Sequence, residues 1–430
     1  MEAECRAETR IRRAEVSGST RPSGRRPSGV FSRRPRRTAY PPTTRPARSR
    51  TGGGSVTDEL PIGRRVARWR VRRRMTQQML ADRLGRSKSW VDKVERGVRS
   101  LDRLPVIQEV ADVLRVDPLT LLGATRTPTP AGIPEGVEGI RTALARYDAV
   151  PGRPVPAGEV GHAWLAYQHA HYPQLVRLLP GLLGAAQGHG APEVLVPAYR
   201  ITSALLVKLG EADLGWLAAD RAVGAAGGDP VLAATAALSV GQALRALGRD
   251  RLALAATVAA AGRLDTAPAG WAVRGTLLLQ AALAAAGCGA AGRAGELLGQ
   301  ADDLGVRAGG DDPHHTGFGP LAVELARVLV AARRGDADEA VRRHAAVRRL
   351  PGWWRLPAEH RAAYLVDVAR AYLRVGDLRG AARALVDADA VAPCEVRCRP
   401  TVRTLIAEVA AGQPAPAGVA RLATLVGLSR

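Results

Sequence analysis

The stretch Thr76–Gly97, "TQQMLADRLGRSKSWVDKVERG", decides how this chain is read. It holds two short helical patterns broken at Leu84-Gly85. Leu80, Ala81, Leu84, Val91 and Val94 fall at helical spacing and form one inward stripe, with Ala81 small where two helices must cross closely. A hairpin buried in a core and a device that reads DNA share this pattern, so the outward residues must separate them. Those are Lys88, Ser89, Asp92 and Lys93.

Working outward, the segment from Ile62 to Leu122 reads as five short helices. Val66, Trp69 and Val71 mark the first; Thr76 caps a second over 76–84 and Ser87 a third over 87–95; Leu104–Leu114 and Pro118–Leu122 complete the set. The third helix is about 13 Å long at about 1.5 Å per residue, close to the major-groove width of about 12 Å. That length also suits any small helical bundle.

The elements "IGRRVARWR", "MTQQMLADRLG", "RSKSWVDKVERG" and "LPVIQEVADVLRVDPLTLL", in one register, resemble the helix-turn-helix domain of the Cro and phage-repressor-like (XRE) transcriptional regulators. The resemblance places Lys88, Ser89 and Lys93 at base edges and Gln77 on a phosphate, with Ser87, Asp92 and Arg96 completing the DNA-facing set. Lysine can donate to guanine acceptors and serine can pair with several bases, whereas Asp92 needs a cytosine amino group or a neighbouring arginine. It further implies an ion pair between Arg70 and Glu95 that orients the third helix rather than adding stability. Trp90 is expected to pack at a partly buried edge. One departure stands out: similar domains commonly carry glycine before the position of Met75, where this chain has Arg74, a residue strained at positive φ.

Charge supports a polyanion partner without proving one. The 430 residues carry a net charge of +22. Residues 1–55 hold fourteen Arg against four Glu, and residues 56–122 fifteen basic against nine acidic side chains. A bias toward Arg, Ala and Gly, with only three Lys, would produce the same sign without selection for charge. With six Pro and almost no apolar periodicity, residues 1–55 are expected to form a disordered tail. They serve either as a basic arm on DNA or not at all in the native protein, with Val56 an alternative start after the glycines at 52–54.

The domain plan is therefore a tail (1–55), a helix-turn-helix domain (56–122), a Thr/Pro/Gly linker (123–136), a tetratricopeptide-like helical repeat domain (137–412) and a C-terminal tail (413–430). The fold class is all-α. Gly210, Gly248, Gly289, Gly335 and Gly376 recur at intervals of 38, 41, 46 and 41 residues, each between two helical runs where glycine can take the left-handed turn conformation. Leu365, Val368, Ala369, Tyr372, Ala381, Leu385, Ala388 and Pro393 fall in tetratricopeptide spacing. Such stacked pairs form a curved solenoid with an extended concave surface. The combination resembles regulators of actinobacterial type and, more distantly, peptide-responsive quorum-sensing regulators. "TGFGP" (316–320) resembles a recurring feature of the former, and is read as a glycine-rich connector entering a helix behind Pro320 rather than as a ligand contact.

No catalytic constellation is present: GxxxxGK[ST], HExxH and GxSxG are all missing, so the protein is not expected to be an enzyme or to need a cofactor. Asp311, Asp312, His314 and His315 sit in one loop without preset metal geometry. His162, His169 and His171 lack a carboxylate at i+3 or i+4, and Cys394 and Cys398 form only a CxxxC. Scattered cysteines and the lack of a long apolar run point to a reducing cytoplasm, near the nucleoid, and to no membrane partner. The expected partners are double-stranded DNA, a second copy of the chain in a homodimer, and a peptide, small-molecule or protein effector on the repeat domain. The alternative is a protein-interaction scaffold in which the repeats carry the function and DNA binding is weak.

Overall fold

The computed structural model describes residues 61–99, 101, 104–116, 118–122, 132–146, 158–264, 270–307, 312–350, 352–412 and 418–428. The expectations for residues 1–55 lie outside them. Among the described residues the regular structure is helical throughout, with no strand. No described helix is long and apolar enough to cross a membrane.

The N-terminal bundle comprises α1 (Ile62–Arg72), α2 (Gln77–Arg83), α3 (Lys88–Glu95), α4 (Leu104–Leu114) and α5 (Pro118–Leu122). Thr76 accepts from the Met79 N–H and Ser87 from the Trp90 N–H, each at 3.1 Å, so the two expected caps start α2 and α3. Leu80, Ala81, Leu84, Val91 and Val94 are all buried with Val66, Ile107 and Leu114. Val71 is not part of this core; it lies on the outer face of α1.

Helix α6 (Ile133–Ala145) begins inside the stretch expected to be linker, with Gly132 at φ 93° ahead of Pro134. Then come paired helices: α7 (Glu159–Gln168) with α8 (Tyr172–His189), α9 (Pro192–Lys208) with α10 (Ala212–Gly224), and α11 (Pro230–Ala246) with α12 (Asp250–Gly262). The series continues as α13 (Trp271–Gly287) with α14 (Ala291–Gly305), α15 (Pro320–Arg333) with α16 (Ala337–Val347), and α17 (Ala358–Arg374) with α18 (Leu378–Val391). Short helices α19 (Pro393–Arg397), α20 (Pro400–Ala410) and α21 (Val419–Leu425) follow. The stretch from 413, expected as a tail, is thus corrected: Val419, Leu422 and Ala423 bury themselves in the core.

The repeat signal rests on one turn. Gly210, Gly248, Gly289, Gly335 and Gly376 have φ between 69° and 89°. In each, the glycine N–H bonds the carbonyl three residues back and the next N–H bonds the carbonyl five residues back. The same pair recurs at Ala170, φ 55°, between α7 and α8: the Ala170 N–H bonds the Tyr167 carbonyl and the His171 N–H the Ala166 carbonyl. The described residues after the N-terminal bundle therefore hold six such hairpins, the first of them without a glycine at its turn.

The first helices of the hairpins touch in sequence, α7 to α9, α11, α13, α15 and α17, and α17 touches α7 again. The expected tetratricopeptide-like solenoid is thus present, its successive hairpins curving until the last meets the first and closes a ring. A single core accordingly unites residues as distant as Leu165 and Tyr364. A buried polar network holds this junction. Lys208 at the end of α9 bonds Glu359 on α17 at 2.5 Å and Glu395 on α19 at 2.8 Å; Arg399 bonds Glu395 at 2.5 Å, and the Tyr172 hydroxyl donates to Glu395 as well. Burial by itself would raise the Glu395 carboxyl, but Lys208 and Arg399 outweigh that and hold it below the ordinary range.

His344 on α16 is also buried, its Nδ1 3.0 Å from the Tyr364 hydroxyl. Burial, with Arg348 nearby, depresses its pKa to about 4. An unfolded-chain histidine protonates near pH 6.5, so between these values the unfolded state binds the extra proton. The neutral His344 thus favours the fold above about pH 6.5 and loses its contribution as pH falls toward 4. We expect acid unfolding to steepen in that window by on the order of 2–3 kcal/mol, and His344→Phe to flatten it, as read from urea midpoints across pH.

Candidate nucleic-acid interface

The bearing of α3 is set by one carboxylate. Glu95, buried at its C-terminal end, accepts from Arg70 Nε at 2.6 Å and Nη2 at 3.0 Å in a bidentate pair. It also accepts from Gln77 Nε2 at 2.8 Å, and Arg70 Nη1 donates to the Met75 carbonyl at 2.8 Å. The Arg70 pKa is raised chiefly by its hydrogen bond to Glu95. A single group therefore ties together α1, the turn after it, the start of α2 and the end of α3. Gln77, expected on a phosphate, is half-buried and spends one amide N–H on Glu95, leaving its second for a ligand.

Gly63 makes this arrangement possible and was not singled out from the sequence. A methyl group there would collide with the Val94 carbonyl, so α1 can cross α3 closely only at glycine. The available signal was its spacing: Gly63, Val66 and Arg70 share one helical face.

The outer face of α3 carries Lys88, Ser89 and Lys93, all exposed, and neither lysine has an ion pair with a described residue. Ser87 is exposed but its hydroxyl oxygen is occupied as the cap. Asp92 is half-buried and pairs with Arg96 at 2.6 Å, so its charge is compensated on the helix itself and Arg96 is drawn toward it. Trp90 is half-buried against the core, with the Arg86 guanidinium 5.8 Å from its ring, in keeping with a packing role.

The arginines before α2 divide their work. Arg73 donates to the Leu114 carbonyl at 2.9 Å and the Arg115 carbonyl at 2.8 Å, closing the end of α4, while Arg72 lies 4.9 Å from the Trp69 ring. Arg74 takes φ 55°, the left-handed conformation its glycine-bearing counterparts would adopt freely. That conformation costs roughly 1–2 kcal/mol for a side-chain-bearing residue, partly offset by glycine's greater unfolded-state entropy. Arg74→Gly is therefore expected to stabilise the domain by about 0.5–1 kcal/mol, measurable as a raised thermal midpoint.

A family model described as a helix-turn-helix domain matches residues 61–122, the whole of this bundle. A search of curated proteins found no match. Among solved structures the chain is similar to Bacillus thuringiensis PlcR in complex with the peptide PapR7 and DNA. The TM-score is 0.33 and the identity 10%, over 66% of this chain and 93% of that one, too slight a likeness to assign a function. Residues 61–122 thus form a helix-turn-helix domain, followed by a ring of helical hairpins.

The remaining motifs find other roles. Asp312 accepts from the Thr316 hydroxyl at 3.0 Å and the Gly317 N–H at 2.7 Å, so it organises the "TGFGP" loop. Among the described residues no group of three metal-ligating side chains converges.

Proposed function

We propose that this protein is a sequence-specific DNA-binding transcriptional regulator of XRE type that lays α3 in the major groove, as a homodimer on paired half-sites. The ring of hairpins would serve as its effector-sensing and dimerisation domain. What carries the reading is the exposed group Lys88, Ser89 and Lys93 on one face of a helix of about 12 Å whose bearing Glu95, Arg70 and Gln77 hold. The groove accepts an element of that size, and bidentate or paired donors there distinguish bases. Gln77, with its remaining N–H, is suited to a phosphate and thereby to register rather than sequence. Arg96 and Asp92 act as a pair, Arg96 reaching backbone or base once Asp92 is neutralised.

Selection of bound fragments from the source genome by the full-length protein tests the reading. One recurrent motif is expected, with affinity falling steeply as salt rises because bound lysines and arginines release counterions. Recovery of no motif, or salt-insensitive binding, would favour the scaffold alternative.

A further inference from the structure

The segment from 312 to 319 does more than connect α14 to α15. Its His315 ring stacks on Trp164 of α7 with centroids 4.9 Å apart, the His314 carbonyl accepts from Arg200 Nη1 of α9 at 3.0 Å, and Phe318 sits over Gly275 of α13. It therefore spans the ring, touching three of its six inner helices. Between this segment and α7, α9 and α11 lies a cavity of about 140 Å³, lined by Trp164, Arg200, Leu232, Thr235, Pro313 and His315 among others.

The chemistry of this cavity is unbalanced. Arg200 is only 6% exposed, and its one hydrogen bond with a described residue is to a neutral carbonyl. It makes no ion pair with a described residue: Asp312, the carboxylate whose charge reaches it, is held by Thr316 and Gly317. Burial pulls the guanidinium down to about 10, which leaves it charged at neutral pH. The Trp164 ring, 5.2 Å from the guanidinium carbon, offsets part of that charge. Two buried donors on residues that line the cavity, Arg200 Nε and Trp164 Nε1, have no acceptor among the described residues. Buried donors without acceptors are costly, and so is a buried cation whose only nearby carboxylate is bonded elsewhere.

We propose that this cavity is a binding site for a small apolar monocarboxylate, whose two oxygens accept from the Arg200 guanidinium and the Trp164 indole N–H. A carboxylate supplies both the missing charge and acceptors for the unpartnered donors. The volume compares with the cavity of about 150 Å³ that takes benzene, so the acid is of that order of size. The acid is free, or is the C-terminal end of a peptide; the chemistry at Arg200 is shared. The site deepens the sensor role above, and its regulatory meaning rests on that reading, whereas its occupancy does not.

Calorimetric titration of the full-length protein with straight-chain, branched and aromatic monocarboxylates, and with their primary amides, tests it. Short peptides with free and amidated C-termini form the second arm and separate the two sources. Saturable binding of at least one carboxylate is expected, at least tenfold tighter than its amide. Arg200→Gln should weaken it at least tenfold and Trp164→Phe, which keeps an aromatic ring and removes the N–H, several-fold. Without ligand, Arg200→Gln should leave the thermal midpoint nearly unchanged, since it forgoes one hydrogen bond and relieves a buried charge. If no carboxylate binds, if amides bind equally, or if both variants bind as the parent does, the proposal is wrong; collapse of the Arg200→Gln fold would instead assign Arg200 a structural task and count against it, with Trp164→Phe deciding. An acid that binds but leaves operator affinity unaltered keeps the site and removes the sensor.

Discussion

Replacing Lys88 and Lys93 together by alanine is expected to lower affinity for the selected operator by roughly two orders of magnitude, from about 1–3 kcal/mol per base contact. Thermal stability should change little, because both side chains are exposed and neither supports the core or an ion pair among the described residues. Affinity for unrelated DNA should fall much less, so the ratio between operator and random sequence shrinks. Gln77→Ala, in contrast, should weaken all sequences about equally, through loss of the proposed phosphate contact and the loosened hold on Glu95. Electrophoretic shifts on operator and scrambled duplexes at fixed salt measure both effects. Unchanged operator binding by the double variant would take α3 out of the groove.

The second large effect concerns the ring. Glu395→Ala removes a fully buried carboxylate that Lys208, Arg399 and Tyr172 share, leaving the largely buried Arg399 without its ion-pair partner and Lys208 with Glu359 alone. Loss of one partner from a buried ionic cluster costs about 3–5 kcal/mol, which for a domain of this size lowers the thermal midpoint by on the order of 10 °C. Glu395→Gln keeps the shape and some hydrogen bonds and should fall between. The damage should be confined to the ring, with the helix-turn-helix core, which has its own buried cluster, melting as before. Calorimetry resolves the two; a shift in the ring of less than a degree or two would mean that apolar contact alone closes it.

The opening stretch was legible because everything it needs is local. Caps at Thr76 and Ser87, the turn at Gly85 and the stripe from Leu80 to Val94 all act within a few residues, and each leaves a periodic or chemical mark in the chain. The same holds for the five hairpin glycines, whose φ values follow from what glycine alone tolerates well. The hairpin at Ala170 escaped because alanine there takes a left-handed φ at the same cost as Arg74, so the mark was gone while the turn stayed. Val71 illustrates the converse: an apolar residue within a helix says nothing about which side of it faces the core until the partner helices are in place.

Local order along the chain determined that this protein is helical, where its turns fall and which face of α3 is polar, because those properties depend on spacing and on backbone conformations that single residues prefer. Tertiary structure alone decided that α17 returns to α7, that Gln77 turns onto Glu95, and that Arg200 and Trp164 meet the 312–319 segment around one cavity. These contacts join residues up to two hundred positions apart, and no periodicity records them. They arise only when the packed helices bring charges and donors into a common interior from which water is largely excluded.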